Sequence, residues 1–283
     1  MIVPSTPVGP TDVADHYDEL DRFYRELWGE HLHHGLWRTR RESTAEATDR
    51  LVALVADRAG VDRGSRVCDL GCGYGATARW LHARHAAHVV GITLSRVQFE
   101  RARAATAPGG PCFVHGDWLL NELPERSFDA VIALESTEHI GDKRRCFAEA
   151  RRVLRPGGRL VVCAWLAGDR PRGWQVDWLL EPICREGRIP GLARADEYVA
   201  WLAGSGLRPR PWEELSAGVA RTWSICAYRL LRRLLRDRAA RDYLRSRASR
   251  HRAFALSVAR IRLAYACGAM RYGLFVAERP PAS

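Results

Sequence analysis

Arg66-Val-Cys-Asp-Leu-Gly-Cys-Gly-Tyr-Gly75 reads as a buried strand that runs straight into a glycine-rich turn. Such a strand leaves its polar atoms at its carboxyl end, where a nucleotide-like ligand can sit. Glycines at 71, 73 and 75 remove the side chains that would hold that ligand off the backbone. A helix predicted from Ala76 then turns free N–H groups toward the same place. Glycine spacing alone does not choose the ligand, because Gly71, Gly73 and Ala76 also satisfy the G-x-G-x-x-G/A pattern of dinucleotide sites. Two features weigh against a nicotinamide or flavin. Asp69, two residues before the first glycine, can meet a cationic ligand, and the next predicted strand, His88–Thr93, ends without the Asp or Glu that usually holds a ribose.

Outward from that turn, predicted strands at 66–70, 88–93, 111–114, 129–134 and 159–164 alternate with predicted helices at 76–84, 95–106 and 143–154. Alternation of this kind specifies a parallel sheet covered by helices on both faces. Arg155-Pro-Gly-Gly158 breaks the helix ahead of the fifth strand. Upstream, residues 12–28 repeat apolar positions as one amphipathic helix, and Ser43-Thr-Ala-Glu46 is a capping box that opens a helix over 44–59. Downstream the rhythm stops. Helices are predicted at 174–185 and 195–203, a sixth strand near 211–216 and a last one at 272–277, with a long insertion between those two strands that suits a substrate cover. The expectation is an α/β, Rossmann-like, mostly parallel seven-stranded sheet in a single domain over 12–283. Within it lie an N-terminal helical cap (12–60), a cofactor-binding core (61–165) and lid and substrate-binding insertions (166–271).

A chain of 283 residues with 47% hydrophobic content can bury one large core. Its eight cysteines form no C-x-x-C pair, and Cys68 and Cys163 fall in apolar strand-like runs, so a reducing, cytoplasmic setting is expected. Residues 1–10 lack the basic and apolar regions of a signal peptide, and no apolar run reaches membrane-spanning length. The net charge of +11 is local: residues 221–262 hold 13 arginines against Asp237 and Asp242. Ile225, Tyr228, Leu231 and Leu235 recur there at helical spacing, which predicts a basic amphipathic helix with that stripe beneath the arginines. The plain meaning of the arginines is a solvated face. The sharper ones are a site for an anionic substrate group, such as a diphosphate, or an anionic membrane surface. Nucleic acid is not expected as a partner, since aromatic interleaving is thin and no RNA-binding motif is present.

Ligands of open parallel sheets sit at the strands' carboxyl ends, here Asp69–Gly75, Thr93–Gln98, Gly116-Asp117-Trp118 and Glu135-Ser-Thr-Glu-His139. Asp117 can accept from an exocyclic amine and Trp118 can stack on a purine. Val67-Cys-Asp-Leu-Gly-Cys-Gly-Tyr-Gly75, Gly91-Ile-Thr-Leu-Ser-Arg-Val-Gln98, Gly116-Asp117, Phe128-Asp-Ala-Val131 and Leu154-Arg-Pro-Gly-Gly158, in that order, resemble a class I S-adenosylmethionine-dependent methyltransferase. His16-Tyr-Asp18, Phe23-Tyr24 and Trp28-Gly-Glu-His-Leu-His-His-Gly-Leu-Trp37 further resemble its tocopherol C-methyltransferase-like branch, related to sterol, sarcosine/dimethylglycine and cyclopropane-fatty-acid enzymes.

The resemblance implies S-adenosylmethionine as cofactor. Gly71, Gly73 and Gly75 would pass beneath its methionine portion and Asp69 would place its ammonium. The Thr93-Leu94 backbone and Gln98 would take the ribose, Asp117 and Trp118 the adenine, and Glu135 a further contact, with Tyr17 closing the site. Candidate bases are His139, then Glu138, then His33; Tyr24, Trp28 and Trp165 are expected against a small-molecule acceptor. The cluster His31, His33, His34 lacks the carboxylate or cysteine partners of a metal site, so no metal is expected. Methyl transfer to a small, mostly apolar phenolic, quinone-like or isoprenoid metabolite follows, at carbon before oxygen or nitrogen. The alternatives are a cyclisation on the same fold or a cyclopropane-type lipid modification.

Overall fold

In the computed structural model, which describes residues 1–238, 241–242 and 254–281, the apolar runs become β1 (Arg66–Leu70), β2 (His88–Thr93), β3 (Cys112–His115), β4 (Phe128–Leu134) and β5 (Leu154–Ala167). Short β6 (Arg208–Pro209) and β7 (Glu213–Glu214) follow, and β8 (Met270–Glu278) ends the sheet. The order is β3-β2-β1-β4-β5-β8-β6, with β7 also on β8. Neighbours from β3 to β5 run parallel, whereas β8 is antiparallel to β5 over nine residue pairs from Arg159↔Glu278 to Ala167↔Met270. The sixth strand predicted near 211–216 is two pieces of two residues each, pairing with β8 at Pro209↔Ala277 and Glu213↔Leu274. Pro209 and Pro211 supply no backbone donor, so the ladder cannot run through them.

Helices α3 (Thr44–Ala59), α4 (Ala76–His85), α5 (Arg96–Ala104) and α6 (Lys143–Val153) flank the sheet after α1 (Pro10–Glu19) and α2 (Asp21–Leu27). The capping box forms as predicted: Ser43 Oγ accepts from the Glu46 N–H at 3.2 Å, and Glu46 accepts from the Ser43 N–H at 2.7 Å. The single helix predicted over 12–28 is instead broken at Leu20, which leaves helical geometry (φ −92°, ψ 8°). Apolar spacing runs straight through the break, so periodicity could not show it. The break is bridged by Tyr17 and Tyr24, whose rings stack 5.2 Å apart.

Two cores cover the faces of the sheet. Leu70, Phe147, Tyr198 and Phe275 belong to one, and Leu51, Val67, Leu81 and Tyr272 to the other. A third cluster holds together the helices inserted after β5. It gathers Leu180 from a π-helical turn (Val176–Leu180) that follows the short α7 (Gly173–Gln175), and Ile183 from α8 (Glu181–Glu186). Trp223 from α11 (Arg221–Arg236) and Ile261 from α12 (Phe254–Ala266) complete it, while α9 (Ala195–Gly204) packs on α6 and α10 (Ser216–Val219) leads into α11.

One expectation is reversed here. Tyr228, Leu231 and Leu235 do not lie beneath the arginines; they face solvent, while Trp223, Cys226, Ala227 and Leu230 make the buried stripe of α11. The helix carries two overlapping apolar stripes, and spacing alone cannot say which one the core takes. Part of the arginine cluster, including Arg245, Arg247, Arg250 and Arg252, lies outside the described residues. Among the described residues, no helix is long and apolar enough to cross a membrane.

Candidate functional site

Strand order reverses between β1 and β4, and the crevice at their carboxyl ends opens a cavity of about 280 Å³. Gly71, at φ +73°, lets the turn after β1 touch the turn after β4: a Cβ there would stand 2.2 Å from Ser136 Cβ. Ser136 Oγ fastens the same junction by donating to the Leu70 carbonyl at 2.6 Å. Gly73 lies on the cavity wall, but Gly75 does not. Gly75 is the N-cap of α4 at φ +73°, and a Cβ on it would meet the Phe113 ring at 2.5 Å. Its missing side chain makes room for packing rather than for a ligand, contrary to the placement the sequence suggested.

Asp69 ends β1 with its side chain buried against this cavity. The Ala78 N–H from the first turn of α4 donates to it, while Oδ2 has no hydrogen-bond partner among the described residues. Burial pushes its pKa up to about 7. A buried carboxylate oxygen left unpaired is costly unless a cation meets it, which fits an ammonium-bearing cofactor. On the far side Thr93, Leu94, Gln98, Asp117 and Trp118 all reach the cavity. Thr93 Oγ1 donates to Gln98 Oε1 at 2.8 Å, Asp117 Oδ1 accepts from the Leu119 N–H at 2.8 Å, and Trp118 Nε1 donates to the Cys146 carbonyl at 3.0 Å. These bonds fix the wall in place. Val13, Ala14 and Tyr17 of α1 close the cavity from above, and Asp18 accepts from Ser95 Oγ to dock α1 on the start of α5.

A second, smaller cavity of about 40 Å³ adjoins the first through walls that both share: Tyr17, Leu32, Glu135 and His139. Tyr24, Trp28 and Trp165, the residues expected against an acceptor, all border it, together with Glu138, Trp223 and Ile261. His33 does not. It borders the larger cavity, gives its Nδ1 proton to the His34 carbonyl at 2.8 Å and meets His31 at 2.9 Å, so it stands outside the smaller cavity that His139 and Glu138 border.

Protonation separates the remaining candidates. His139 Nδ1 faces the Arg188 carbonyl at 3.1 Å and must donate to it, which leaves Nε2 as the acceptor for the Tyr17 hydroxyl at 2.9 Å. Burial drives the His139 pKa down to about 4, so the ring is neutral, and burial with Glu138 nearby raises that of Tyr17, which stays protonated. Glu138 accepts from the Trp165 N–H at 2.5 Å, and burial lifts its pKa to about 8. Glu135 behaves in the opposite way. Although buried, its carboxylate accepts from the His34 N–H and Nδ1, Trp165 Nε1 and the Tyr272 hydroxyl at 2.7–2.8 Å, and the His34 contacts hold its pKa down at about 2. With four donors on two oxygens it ties together the elements around it, and it also borders the larger cavity, where it was expected.

His34, Trp223 and Tyr272 were not singled out in the sequence beyond the histidine cluster. Trp223 Nε1 donates to His34 Nε2 at 2.5 Å, so a chain of donors runs from α11 through His34 to Glu135. Nothing in the spacing of these residues, scattered from 34 to 272, could have announced that they meet.

A family model for a methyltransferase domain matches residues 68–162. 27-O-demethylrifamycin SV methyltransferase of Amycolatopsis mediterranei is 35% identical over 229 residues, spanning 78% of this chain and 82% of that one. Chloroplastic tocopherol O-methyltransferase of Arabidopsis thaliana is 28% identical over 292 residues, spanning 95% of this chain and 82% of the other. Among solved structures, the [4+2]-cyclase SpnF superposes over the full length of both chains with a TM-score of 0.82 and 26% identity.

Proposed function

The chain belongs to the S-adenosylmethionine-dependent methyltransferases, and from that premise we propose that it methylates a hydroxyl oxygen of a small, mostly apolar metabolite. The Tyr17–His139 pair, set where the two cavities join, is the observation that carries this reading. Bound S-adenosylmethionine supplies an electrophilic methyl group. Asp69, Gly71 and Gly73 would hold its methionine end, Thr93, Leu94 and Gln98 its ribose, and Asp117 and Trp118 its adenine.

The acceptor would sit among Tyr24, Trp28 and Trp165, where no arginine or lysine among the described residues lines the wall. That argues for an uncharged acceptor and against a diphosphate. As an acceptor oxygen gains a methyl group its proton becomes strongly acidic, so a weak base suffices. Tyr17 takes that proton while giving its own to His139 Nε2, and Nδ1–H stays with the Arg188 carbonyl throughout. Glu138, neutral at pH 7, keeps one oxygen for the Trp165 N–H and turns its proton to a polar group of the acceptor. The aromatic walls exclude water and fix the in-line approach, which can be worth roughly 7–11 kcal/mol at best. A proton-accepting pair at the junction suits a hydroxyl acceptor, and the choice of its oxygen over the carbon first expected is supported by a relative named as an O-methyltransferase.

Incubation with a donor labelled in its methyl group and a panel of apolar phenols and alcohols, each beside its methyl ether, tests the proposal. Label should appear on oxygen, by NMR, and only with the free hydroxyl. Label on a ring carbon would return the acceptor to carbon. Full-length likeness to a [4+2]-cyclase favours one second reading, cofactor binding without methyl transfer. Tight uptake of the donor with label in no product would support it.

A further inference from the structure

We propose that the outer face of α11 and α12 is a docking surface for an anionic lipid bilayer. The proposal goes beyond the methyl-transfer reading and does not depend on it. Tyr228, Leu231 and Leu235 follow one another at helical spacing on α11 and are 64%, 57% and 73% exposed. Leu256 and Leu263, one heptad apart on α12, are 58% and 50% exposed. Arg262 of α12 donates to Ser224 of α11 at 3.3 Å, and Ser224 begins the stripe that continues through Tyr228, so the two helices present one continuous surface. Trp178, 73% exposed, extends from the π-helical turn that packs against α12. Exposed apolar surface of this extent marks a contact face.

Charge decides what covers it. Neither α11 nor α12 contains an acidic residue. Arg221, Arg229 and Arg233 are engaged inward, with the Arg40 carbonyl, the Leu27 carbonyl and Glu26. The side chains of Arg232 and Arg236, beside Leu231 and Leu235, make no ion pair or hydrogen bond among the described residues. A second copy of the chain across a two-fold axis would bring these arginines against each other, and like charges so placed repel. Leucine and aromatic anchors beside free arginines match the interface of an anionic bilayer. The inner face of α12 supplies Ser257 and Ile261 to the smaller cavity. One helix therefore has its outer face on the docking surface and its inner face on the acceptor pocket, which suits an apolar metabolite taken from lipid.

The test is co-sedimentation of the full chain with vesicles of phosphatidylcholine alone or mixed with phosphatidylglycerol. Binding should require the anionic lipid and weaken as salt rises. Arg232→Gln and Arg236→Gln should each lower partitioning about 5-fold, and Leu231→Ser/Leu235→Ser at least about 10-fold. Uptake of S-adenosylhomocysteine by calorimetry should be unchanged in every variant, which shows that each one folds. Absence of binding to anionic vesicles at low salt overturns the proposal, as does unaltered binding by the leucine variant. A dimer in sedimentation velocity that the leucine variant dissociates would assign the face to a second copy and overturn it as well.

Discussion

At the scale of single residues, two buried titratable groups that border the smaller cavity, His139 and Glu138, are both neutral, one without and the other with its titrating proton, and burial is the main cause of each. His139 is neutral because burial penalises its cation, with a pKa down at about 4. Glu138 is neutral because burial penalises its anion, with a pKa up at about 8. The proposed relay then works between those values. His139→Asn should lower kcat roughly 10²–10⁴-fold with little change in cofactor affinity, because it removes the proton acceptor but keeps a polar side chain on the wall that the two cavities share. In the wild type, kcat/KM should fall as pH rises through about 8, where Glu138 gives up the proton that it offers the acceptor. Glu138→Gln, which keeps a donor at all pH, should retain most of the activity and lose that alkaline limb. Were Glu138 instead the base, activity would climb through pH 8 and the glutamine variant would be nearly inert, so one pH profile separates the two roles.

Elements meet at Glu135. Its carboxylate joins the His33-His34 segment, the end of β5 through Trp165 and the paired β8 through Tyr272, and His34 extends the chain to α11. Glu135→Gln would place an amide donor against the donors already there. Breaking one side of a buried charged network costs about 3–5 kcal/mol, so the melting temperature should drop by roughly 6–12 °C. The pH sign follows from its lowered pKa. The stabilisation is present above the ordinary carboxylate range and is lost as pH falls toward about 2, so the difference between variant and wild type should shrink in acid. Elements built from local signals were readable in advance: the Ser43 cap, the five parallel strands and the turn after β1 stand within two residues of their predicted bounds, apart from an earlier start and later end to β5. Those that depend on neighbours were not. Leu20 keeps the apolar period and still breaks the helix, and α11 offers two stripes of which the third hydrophobic cluster takes only one.

The molecule as a whole gathers its two cavities from segments that lie far apart in the chain. Every residue expected at the cofactor reaches the larger one except Gly75, because strand ends and their turns carry local signatures. The smaller cavity was legible in Tyr24, Trp28, Trp165, Glu138 and His139, but Trp223, Ser257 and Ile261 come from α11 and α12, whose docking no local pattern encodes. Asp69 connects this architecture to a measurable property of the complete protein. Its pKa of about 7 lies well above that of an unfolded chain, so its ionisation weakens the free protein as pH rises through that value. An ammonium at the unpaired Oδ2 requires the ionised form. Below pH 7 a proton must leave before the cation can pair, so affinity for S-adenosylhomocysteine should fall about tenfold per pH unit there and level off above it. Calorimetry in buffers of different ionisation enthalpy should register that proton leaving. Asp69→Asn should abolish the pH dependence and, at pH 8, weaken binding by about 1.5–3 kcal/mol, the worth of a charged hydrogen bond. The same variant without ligand should melt above the wild type at pH 8, since it has no buried charge to accommodate. Flat affinity between pH 6 and 8 in the wild type would mean that the ammonium is held elsewhere and that the open oxygen of Asp69 serves another purpose.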